Sequence, residues 1–186
     1  VGVNHKTTPV EIREKLAFTK GKIEDSAGHL INYPDIIEHT ILSTCNRVEI
    51  YARANNQDSG ISFIKNFICE FHDLSLVELE GHFYSYTNED AVEHLFRVSS
   101  SLDSMVLGEA QILGQVKDAY SLAKNLSSTG LVLNQLFEKA FSIAKRVRDE
   151  TGIAERSVSI SSAAVELAQK IFNDLENHTV MLVGTG

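Results

Sequence analysis

Residues 36–52 read IIEHTILSTCNRVEIYA, in which two apolar, β-branched runs flank a short polar break. Two such runs joined by a few small polar residues are typical of neighbouring strands. The break puts Cys45 at a strand end beside Arg47, where a guanidinium and backbone N–H groups would raise the thiolate fraction. These surroundings favour a nucleophile, since only about a few per cent of a free thiol is ionised at neutral pH. The alternative is a buried cysteine that packs as a small hydrophobic residue.

Helix and strand patterns alternate from residue 1 to residue 86, and the pattern is helical from there to about residue 173. The expected fold is therefore α/β (α+β): a small ferredoxin-like α/β sandwich followed by a helical subdomain. Helices are predicted from Pro9 to Ala17, over about 22–32, over 61–71, from a capping Asn88, and over about 105–126, 131–150 and 157–173. Cys69 lies within an apolar helical run, so packing is its expected role.

The sequence changes character at its end, where residues 179–183 read TVMLV and Gly184-Thr185-Gly186 follow. An apolar strand that ends in a glycine turn is typical of the start of a dinucleotide-binding βαβ unit, although many strands end in glycine. Both ends of the chain look cut, and the fold is expected to end at the first strand of a Rossmann-type domain. We predict three parts: 1–86 with the nucleophile, 87–152 completing the catalytic domain, and 153–186 as a linking helix and the start of a truncated cofactor domain.

The overall composition excludes several classes of protein. A net charge of −8 argues against a general nucleic-acid coating protein, although a small basic patch could still dock an RNA. The sequence contains no run of 18 apolar residues and no signal peptide, so a cytoplasmic protein without a membrane anchor is expected. Cys45 and Cys69 form neither a CxxC pair nor a metal-ligand spacing. We therefore expect no metal site, and no disulfide in a reducing compartment.

A second group of polar residues precedes a helical run. In a helical projection, Ser104, Gly108, Gln111 and Gln115 form one narrow stripe opposite a broad apolar face. Amides and a hydroxyl can bind a small polar ligand through paired donors and acceptors, and a glycine lets that ligand approach the backbone. The projection requires that the helix has begun by Ser104; if it begins later, only the two glutamines keep their relation. The alternative is a polar contact between helices.

Together, several segments resemble the signature segments of the glutamyl-tRNA reductase family. They are residues 2–9 (GVNHKTTP), 43–51 (STCNRVEIY), 94–98 (HLFRV), 102–109 (LDSMVLGE) and 111–115 (QILGQ), in chain order. Residues 157–168 resemble the segment that leads into the NADPH-binding domain of the family, so the resemblance covers essentially the whole chain. Two positions depart from the family pattern: Ser101 stands where glycine is usual, and Ala110 stands where proline is usual.

The resemblance implies an NADP-dependent oxidoreductase that reduces glutamyl-tRNA(Glu) to glutamate-1-semialdehyde. This is the first step of tetrapyrrole (5-aminolevulinate, hence porphyrin) biosynthesis. Cys45 is the implied nucleophile, and it would form a thioester with the glutamyl group. His94 matches a histidine important for activity, for which we favour general acid–base help. The alternative for His94 is a capping or structural role in a helix.

The resemblance also implies the residues that bind the substrate and the cofactor. Substrate-binding positions are Thr44, Asn46, Arg47, Ser104, Glu109, Ala110, Gln111 and Gln115. Arg47 would pair with the substrate carboxylate and Glu109 with its α-ammonium group, while Ala110 would act through its backbone. NADPH is the implied cofactor, and Gly184, Thr185 and Gly186 would form the beginning of its site.

The resemblance further implies a homodimer of the full-length protein and suggests transfer of the aldehyde to the downstream semialdehyde aminotransferase. We expect residues 1–186 alone to form the thioester at most and to hydrolyse it as an esterase. Two alternatives remain open. A cysteine hydrolase or acyltransferase would use Cys45 with His94, and a non-catalytic adaptor of the same fold would bind tRNA or a partner protein.

Overall fold

The computed structural model describes residues 1–30, 32–153, 160–173, 175–176, 178–179 and 181. A three-stranded sheet consists of β1 (Gly2–Asn4), β2 (Ile36–Ser43) and β3 (Arg47–Ala54), in the antiparallel order β1-β3-β2. A single bridge between Gly2 and Tyr84 continues the sheet beyond β1. With Tyr84 in the position of a fourth strand, the sheet has the βαββαβ arrangement of the predicted ferredoxin-like sandwich.

Helices connect and follow the strands. Those of the described residues are α1 (Val10–Leu16), α2 (Lys20–Leu30), α3 (Gln57–Phe71), α4 (Leu76–Leu79), α5 (Asn88–Ser99), α6 (Gln111–Asn125), α7 (Leu131–Thr151) and α8 (Ile160–Phe172). A short 3-10 helix, Glu80–His82, follows α4. None of these helices is both long and apolar enough to cross a membrane. The expected Rossmann-type strand includes residues 180, 182 and 183, which lie outside the described residues.

The sheet separates two hydrophobic clusters, because successive side chains of a strand point to opposite faces. On one face, Ile41 and Ile50 pack in a cluster with buried residues of α1, α2 and α3. On the other face, Leu42 and Tyr51 pack in a cluster with residues of α5, α6 and α7. Both faces of the sheet are therefore covered by helices. The division of the chain between residues 86 and 87 stays a prediction.

Glu38 of β2 holds the start of α7. Its carboxylate accepts hydrogen bonds from the backbone N–H groups of Gly130 (2.9 Å), Val132 (3.3 Å) and Leu133 (2.8 Å). Burial alone would raise the pKa of Glu38, but these hydrogen bonds outweigh burial and lower the pKa. The carboxylate satisfies donors that the first turn of a helix leaves unpaired. The amino end of α7 is thereby fixed against the sheet.

Several helices begin at positions other than those predicted. The helix expected from Ile61 begins at Gln57, because Asn56 caps it by accepting hydrogen bonds from two backbone N–H groups. Asn88 does not cap α5: Thr87 occupies the cap position, and its side chain makes no capping hydrogen bond.

The packing role of Cys69 is confirmed, since that residue is 3% exposed.

The prediction of one helix from residue 105 to residue 126 is wrong at its amino end. Residues 101–108 form turns and bends, and α6 begins only at Gln111. Ser101 has φ +62° and Gly108 has φ +81°, values that no right-handed helix contains. The predicted stripe is therefore broken. Ser104 and Gly108 lie on this turn segment, which we call the 101–110 loop, whereas Gln111 and Gln115 lie on α6.

Candidate active site

The turn between β2 and β3 presents the expected nucleophile. The hydroxyl of Thr44 accepts hydrogen bonds from the backbone N–H groups of Asn46 and Arg47, both at 3.2 Å. The backbone N–H of Thr44 also donates to the carbonyl of Arg47 at 2.8 Å. These bonds close a tight turn in which Cys45 is exposed and free. A hydroxyl that bonds to backbone two and three residues ahead is a common way of fixing such a turn.

Two further elements contact this turn. Arg13 of α1 donates from Nη1 to the carbonyl of Cys45 at 2.5 Å and from Nε to the carbonyl of Thr8 at 3.1 Å. The backbone N–H of His5 donates to the carbonyl of Asn46 at 3.0 Å. Burial lowers the pKa of His5, and the charges of Arg47 and other nearby cations lower it further. The Arg13 guanidinium and the backbone of His5 therefore contact the nucleophile's turn, and neither residue belongs to the predicted site.

Arg47 is buried rather than open to a ligand. Its side chain is 1% exposed, and Nη1 donates to Glu49 Oε1 at 2.8 Å. Both Nη atoms lie 3.2 Å from Asp103 Oδ2, and Nη2 also donates to the carbonyl of Asp103. The expected pairing of Arg47 with a substrate carboxylate stays a prediction, and Glu49 and Asp103 are the partners of the guanidinium in this arrangement. A substrate carboxylate that approached Nη1 or Nη2 would compete with Glu49 and Asp103 for the guanidinium.

Asp103 lies between two cations. Besides Arg47, it contacts Lys6, whose Nζ lies 2.5 Å from Oδ1. Burial would raise the pKa of Asp103, but the hydrogen bond from Lys6 and the charge of Arg47 outweigh burial and lower the pKa. Asp103 thus stays ionised and joins three parts of the site: the loop after β1, strand β3 and the 101–110 loop.

His94 of α5 binds Glu49. Its Nε2 lies 2.9 Å from Glu49 Oε1, and its ring stacks on Tyr86 with centroids 4.6 Å apart. The Glu49 carboxylate also accepts hydrogen bonds from the hydroxyl groups of Tyr51 and Tyr84, each at 2.5 Å. Burial would raise the pKa of Glu49, but the hydrogen bond from His94 and the charge of Arg47 outweigh it and hold the pKa well below its usual range.

The two expected catalytic residues are not hydrogen-bonded to each other in the described structure. Cys45 lies in the turn before β3, whereas His94 binds Glu49, two residues along β3 from Arg47. A strand rises about 3.4 Å per residue, so Glu49, which His94 contacts, lies roughly two residues or more along β3 from the turn that carries Cys45. Among the described residues, hydrogen bonds through Glu49 and Arg47 connect His94 to the strand that follows the nucleophile's turn.

The remaining predicted substrate residues fall into two groups. Ser104, Glu109 and Ala110 lie on the 101–110 loop, and the Ser104 hydroxyl is buried without a hydrogen-bond partner among the described residues. Gln111 is exposed at the start of α6. Gln115 lines a cleft of about 540 Å³ together with Ser43, the residue before Thr44. The expected NADPH-binding residues Gly184, Thr185 and Gly186 lie outside the described residues.

Comparison with known proteins decides the family. A family model described as "Glutamyl-tRNAGlu reductase, N-terminal domain" matches residues 1–151. The chain belongs to the glutamyl-tRNA reductase family. It is 54% identical over 186 residues to a glutamyl-tRNA reductase of Geotalea uraniireducens and 52% identical to one of Geobacter sulfurreducens. Each alignment covers 100% of this chain and 43% of the relative, so the chain spans less than half the length of these curated relatives.

A solved structure also resembles this glutamyl-tRNA reductase family member. Its title is "Glutamyl-tRNA Reductase from Methanopyrus kandleri", and the match has a TM-score of 0.69 at 36% sequence identity. It covers 91% of this chain and 38% of the solved chain. The resemblance read from the sequence and the fold class are both confirmed. The individual site residues stay predictions that rest on the geometry described above.

Sequence reasoning missed Glu49 and Asp103 as members of the site of this glutamyl-tRNA reductase family member. Both residues lie inside segments that carry the family resemblance, at 43–51 and 102–109. An acidic residue beside an arginine in a strand reads as a solvated pair, and only the buried ion pairs of Arg47 show otherwise. Arg47 and Glu49 share one face of β3, because they are two residues apart.

Proposed function

We propose that this chain is the part of a glutamyl-tRNA reductase that binds glutamyl-tRNA(Glu) and forms a thioester on Cys45, in the first step of tetrapyrrole biosynthesis. One observation carries the proposal: Cys45 is exposed on a turn fixed by Thr44, and the ion pair of Arg47 with Asp103 ties that turn to the 101–110 loop. A reactive thiol and a loop with polar side chains are thus held together, as a covalent site requires.

The proposed step exchanges an oxygen ester for a thioester. The Cys45 thiolate attacks the carbonyl carbon of the glutamyl ester, a C–S bond forms, and the C–O bond to the tRNA ribose breaks. The ribose oxygen leaves with a proton from solvent or from a nearby acid. No electrons are transferred in this step, so it needs no reductant. NADPH, when bound to the full-length enzyme, supplies the hydride that reduces the thioester to the aldehyde.

The residues around the nucleophile receive roles that follow from their contacts. Thr44 shapes the turn. The backbone carbonyl of Asn46 accepts a hydrogen bond from the backbone N–H of His5, and its side-chain oxygen accepts one from Arg13. We propose that Arg47 contributes a positive field and holds the turn against Asp103, with any substrate contact made by exchange of that partner. We assign Ser104, Glu109, Ala110, Gln111 and Gln115 to the glutamyl group, as the family resemblance implies.

His94 acts through Glu49 in this proposal. The ring makes its hydrogen bond to a carboxylate that also binds Arg47, so it supports the ion pairs under the nucleophile's turn. The expected acid–base role of His94 would require the substrate to reach the ring, since the ring is not hydrogen-bonded to Cys45 in the described structure. The two roles differ in how strongly loss of His94 would change the reactivity of the Cys45 thiol, because a direct contact would alter it most.

The wider assignment follows the family. We propose NADPH as the cofactor, a homodimer for the full-length protein, and transfer of the aldehyde to the downstream semialdehyde aminotransferase. A reducing cytoplasmic location suits the mechanism, because Cys45 must stay a free thiol. Residues 1–186 contain Cys45 but only the beginning of the expected NADPH site. They are therefore expected to form and hydrolyse the thioester without producing the aldehyde.

The test is mass spectrometry of the full-length protein after mixing with glutamyl-tRNA in the absence of NADPH. A glutamyl adduct on the peptide that contains Cys45, absent in Cys45→Ser, is the expected result. Residues 1–186 are assayed in parallel for adduct formation and for aldehyde after NADPH is added. Absence of an adduct, with Cys45 still open to alkylation, would reject the covalent step. Aldehyde formation by residues 1–186 alone would reject the proposed division of labour.

A further inference from the structure

One arginine joins the end of α7 to the 101–110 loop. Arg148 Nη2 lies 3.2 Å from the hydroxyl of Ser101, 3.3 Å from the carbonyl of Glu109 and 3.4 Å from the carbonyl of Ala110. All three acceptors are neutral oxygen atoms. One nitrogen of the guanidinium, Nη2, thus gathers a side-chain oxygen and two backbone carbonyls of the loop around a single point.

Ser101 completes this contact from inside the loop. Its side chain is fully buried, and its hydroxyl donates to the carbonyl of Glu109 at 2.5 Å while it accepts from Arg148. Ser101 also adopts φ +62°, a left-handed conformation that is strained for a residue other than glycine. The hydroxyl therefore offsets part of that strain by fixing Glu109, a predicted substrate residue.

Gly108 makes a second contact with the same end of α7. A Cβ added to Gly108 would lie 2.5 Å from the carbonyl oxygen of Ile153, so the loop backbone packs directly on the chain after α7. Gly152, the residue before Ile153, ends α7 in the left-handed conformation, with φ +62°. The loop is thus attached at two points, Arg148 and Ile153, to one helix end.

The helix that carries Arg148 is itself rigidly placed. Its amino end is bound by Glu38, and its inner face is buried at Phe137, Ala140 and Ala144. A loop held by such a helix loses little further conformational freedom when a ligand binds, and preorganisation of this kind improves affinity.

We propose that Arg148 is a positioning residue for the substrate: it fixes the backbone of Glu109 and Ala110 and thereby sets the affinity for the glutamyl group. This inference rests on the proposed function, because it assigns the 101–110 loop to substrate binding. Arg148 takes no part in the bond changes at Cys45. Its loss should therefore weaken binding of the ground state and the transition state alike, and raise KM while kcat stays nearly constant.

The test compares Arg148→Lys and Arg148→Met with Arg146→Met in the full-length reductase. Lysine keeps the charge and carries three donors, but its side chain is one bond shorter, so Nζ does not reach the position of Nη2. We therefore expect KM for glutamyl-tRNA to rise roughly tenfold, the scale of one hydrogen bond to a charged group. Arg146 is the matched control, because it is exposed and pairs only with Glu150 one helical turn away among the described residues. Its substitution should leave KM unchanged.

Two outcomes separate this inference from the proposed function. If wild-type protein forms the Cys45 adduct and Arg148→Lys keeps the wild-type KM, the positioning role is rejected and the proposed function stands. If the wild-type protein forms no adduct, the proposed function itself fails. A fall in kcat with an unchanged KM in Arg148→Lys would also overturn the inference, since it would place Arg148 in the chemical step. Arg148→Lys is the decisive variant should Arg148→Met fail to fold.

Discussion

The buried guanidinium of Arg47 binds the carboxylate of Asp103, 56 residues further along the chain, with both Nη atoms 3.2 Å from Oδ2. This pair joins β3, which follows the nucleophile's turn, to the 101–110 loop. The side chains are only 1% and 11% exposed, so the pair is shielded from water. Removing one partner of a shielded pair leaves the other charge uncompensated, which makes the pair a sensitive point of the structure.

We predict that Asp103→Asn destabilises the protein by about 3 kcal/mol, because Arg47 loses a buried ionic partner while Glu49 remains. Urea denaturation monitored by circular dichroism measures the change. Glu93→Gln is the control, since Glu93 pairs with Arg97 at 4.0 Å and both side chains are more than half exposed. An exposed pair of this kind contributes about 0.5 kcal/mol or less. Equal effects of the two substitutions would contradict the importance assigned to the buried pair.

A second prediction concerns how His94 acts. We expect His94→Ala to lower kcat of the full-length reductase by about 10- to 100-fold, because Glu49 loses a hydrogen-bond donor beneath the nucleophile's turn. The rate at which iodoacetamide alkylates Cys45 should stay at the wild-type value, since His94 is not hydrogen-bonded to that residue in the described structure. Alkylation rates and kcat measured on the same preparations provide the comparison. Parallel loss of both would show that His94 acts directly on the thiol.

Two glycine substitutions should have opposite effects on stability. Gly108→Ala places a Cβ 2.5 Å from the Ile153 carbonyl oxygen at φ +81°, so we expect a loss of at least about 2 kcal/mol and a raised KM. Gly114→Ala places its Cβ in open space within α6, so we expect a gain of about 0.5–1 kcal/mol. Denaturation of both variants measures the difference. A neutral Gly108→Ala would mean that the loop does not depend on its contact with Ile153.

The sequence predicted the sheet well and the 101–110 loop poorly, for one physical reason. Strands β2 and β3 are apolar, β-branched runs, and such runs can be predicted from neighbouring residues alone. The start of α6 depends on Ser101 and Gly108, whose positive φ values are held by Arg148 and Ile153 from much further along the chain. A helical projection contains no information about such distant partners, so it extended the helix through the loop.

The contacts of the candidate residues could not be predicted from the sequence, and their roles stay predictions. Cys45 lies exposed at a strand end, as the small polar residues around it indicate. Arg47 was expected to face a ligand, yet its side chain is buried in an ion pair with Asp103 of the 101–110 loop. The same limit applies to His94, which matches a family residue and whose hydrogen bond to Glu49 the sequence does not reveal.

The two cysteines should differ in reactivity. Cys45 is exposed, whereas Cys69 is 3% exposed and burial raises the pKa of its thiol. Because the thiolate is the reactive form, we expect iodoacetamide to label Cys45 at least about tenfold faster in the folded protein. Peptide mass spectrometry over time measures both rates, and Cys45→Ser should lose the fast phase. Equal, slow labelling of both residues would count against a catalytic thiol in the turn.

The last prediction follows from a histidine buried in β2. His39 is 3% exposed, its Nε2 has no hydrogen-bond partner among the described residues, and burial lowers its pKa from 6.5 to about 4. The folded state therefore keeps His39 neutral over a range in which the unfolded chain takes up a proton. Between pH 6.5 and 4 the unfolded state binds more protons, so stability is highest above pH 6.5 and falls as the pH decreases.

This single residue should remove up to roughly 3 kcal/mol of stability at pH 4 relative to pH 7. Urea denaturation at pH 7, 5.5 and 4.5 measures the slope, and His39→Leu should reduce it because leucine does not titrate, while His72, whose pKa burial also lowers to about 4, keeps the remainder. Asp103 and Glu49 lose their contribution at lower pH, because the pKa of each carboxylate is lowered in the folded protein. Their effect therefore falls in a different window. An unchanged slope between pH 7 and 4.5 in His39→Leu would show that His39 reaches solvent in the folded protein and takes up its proton there.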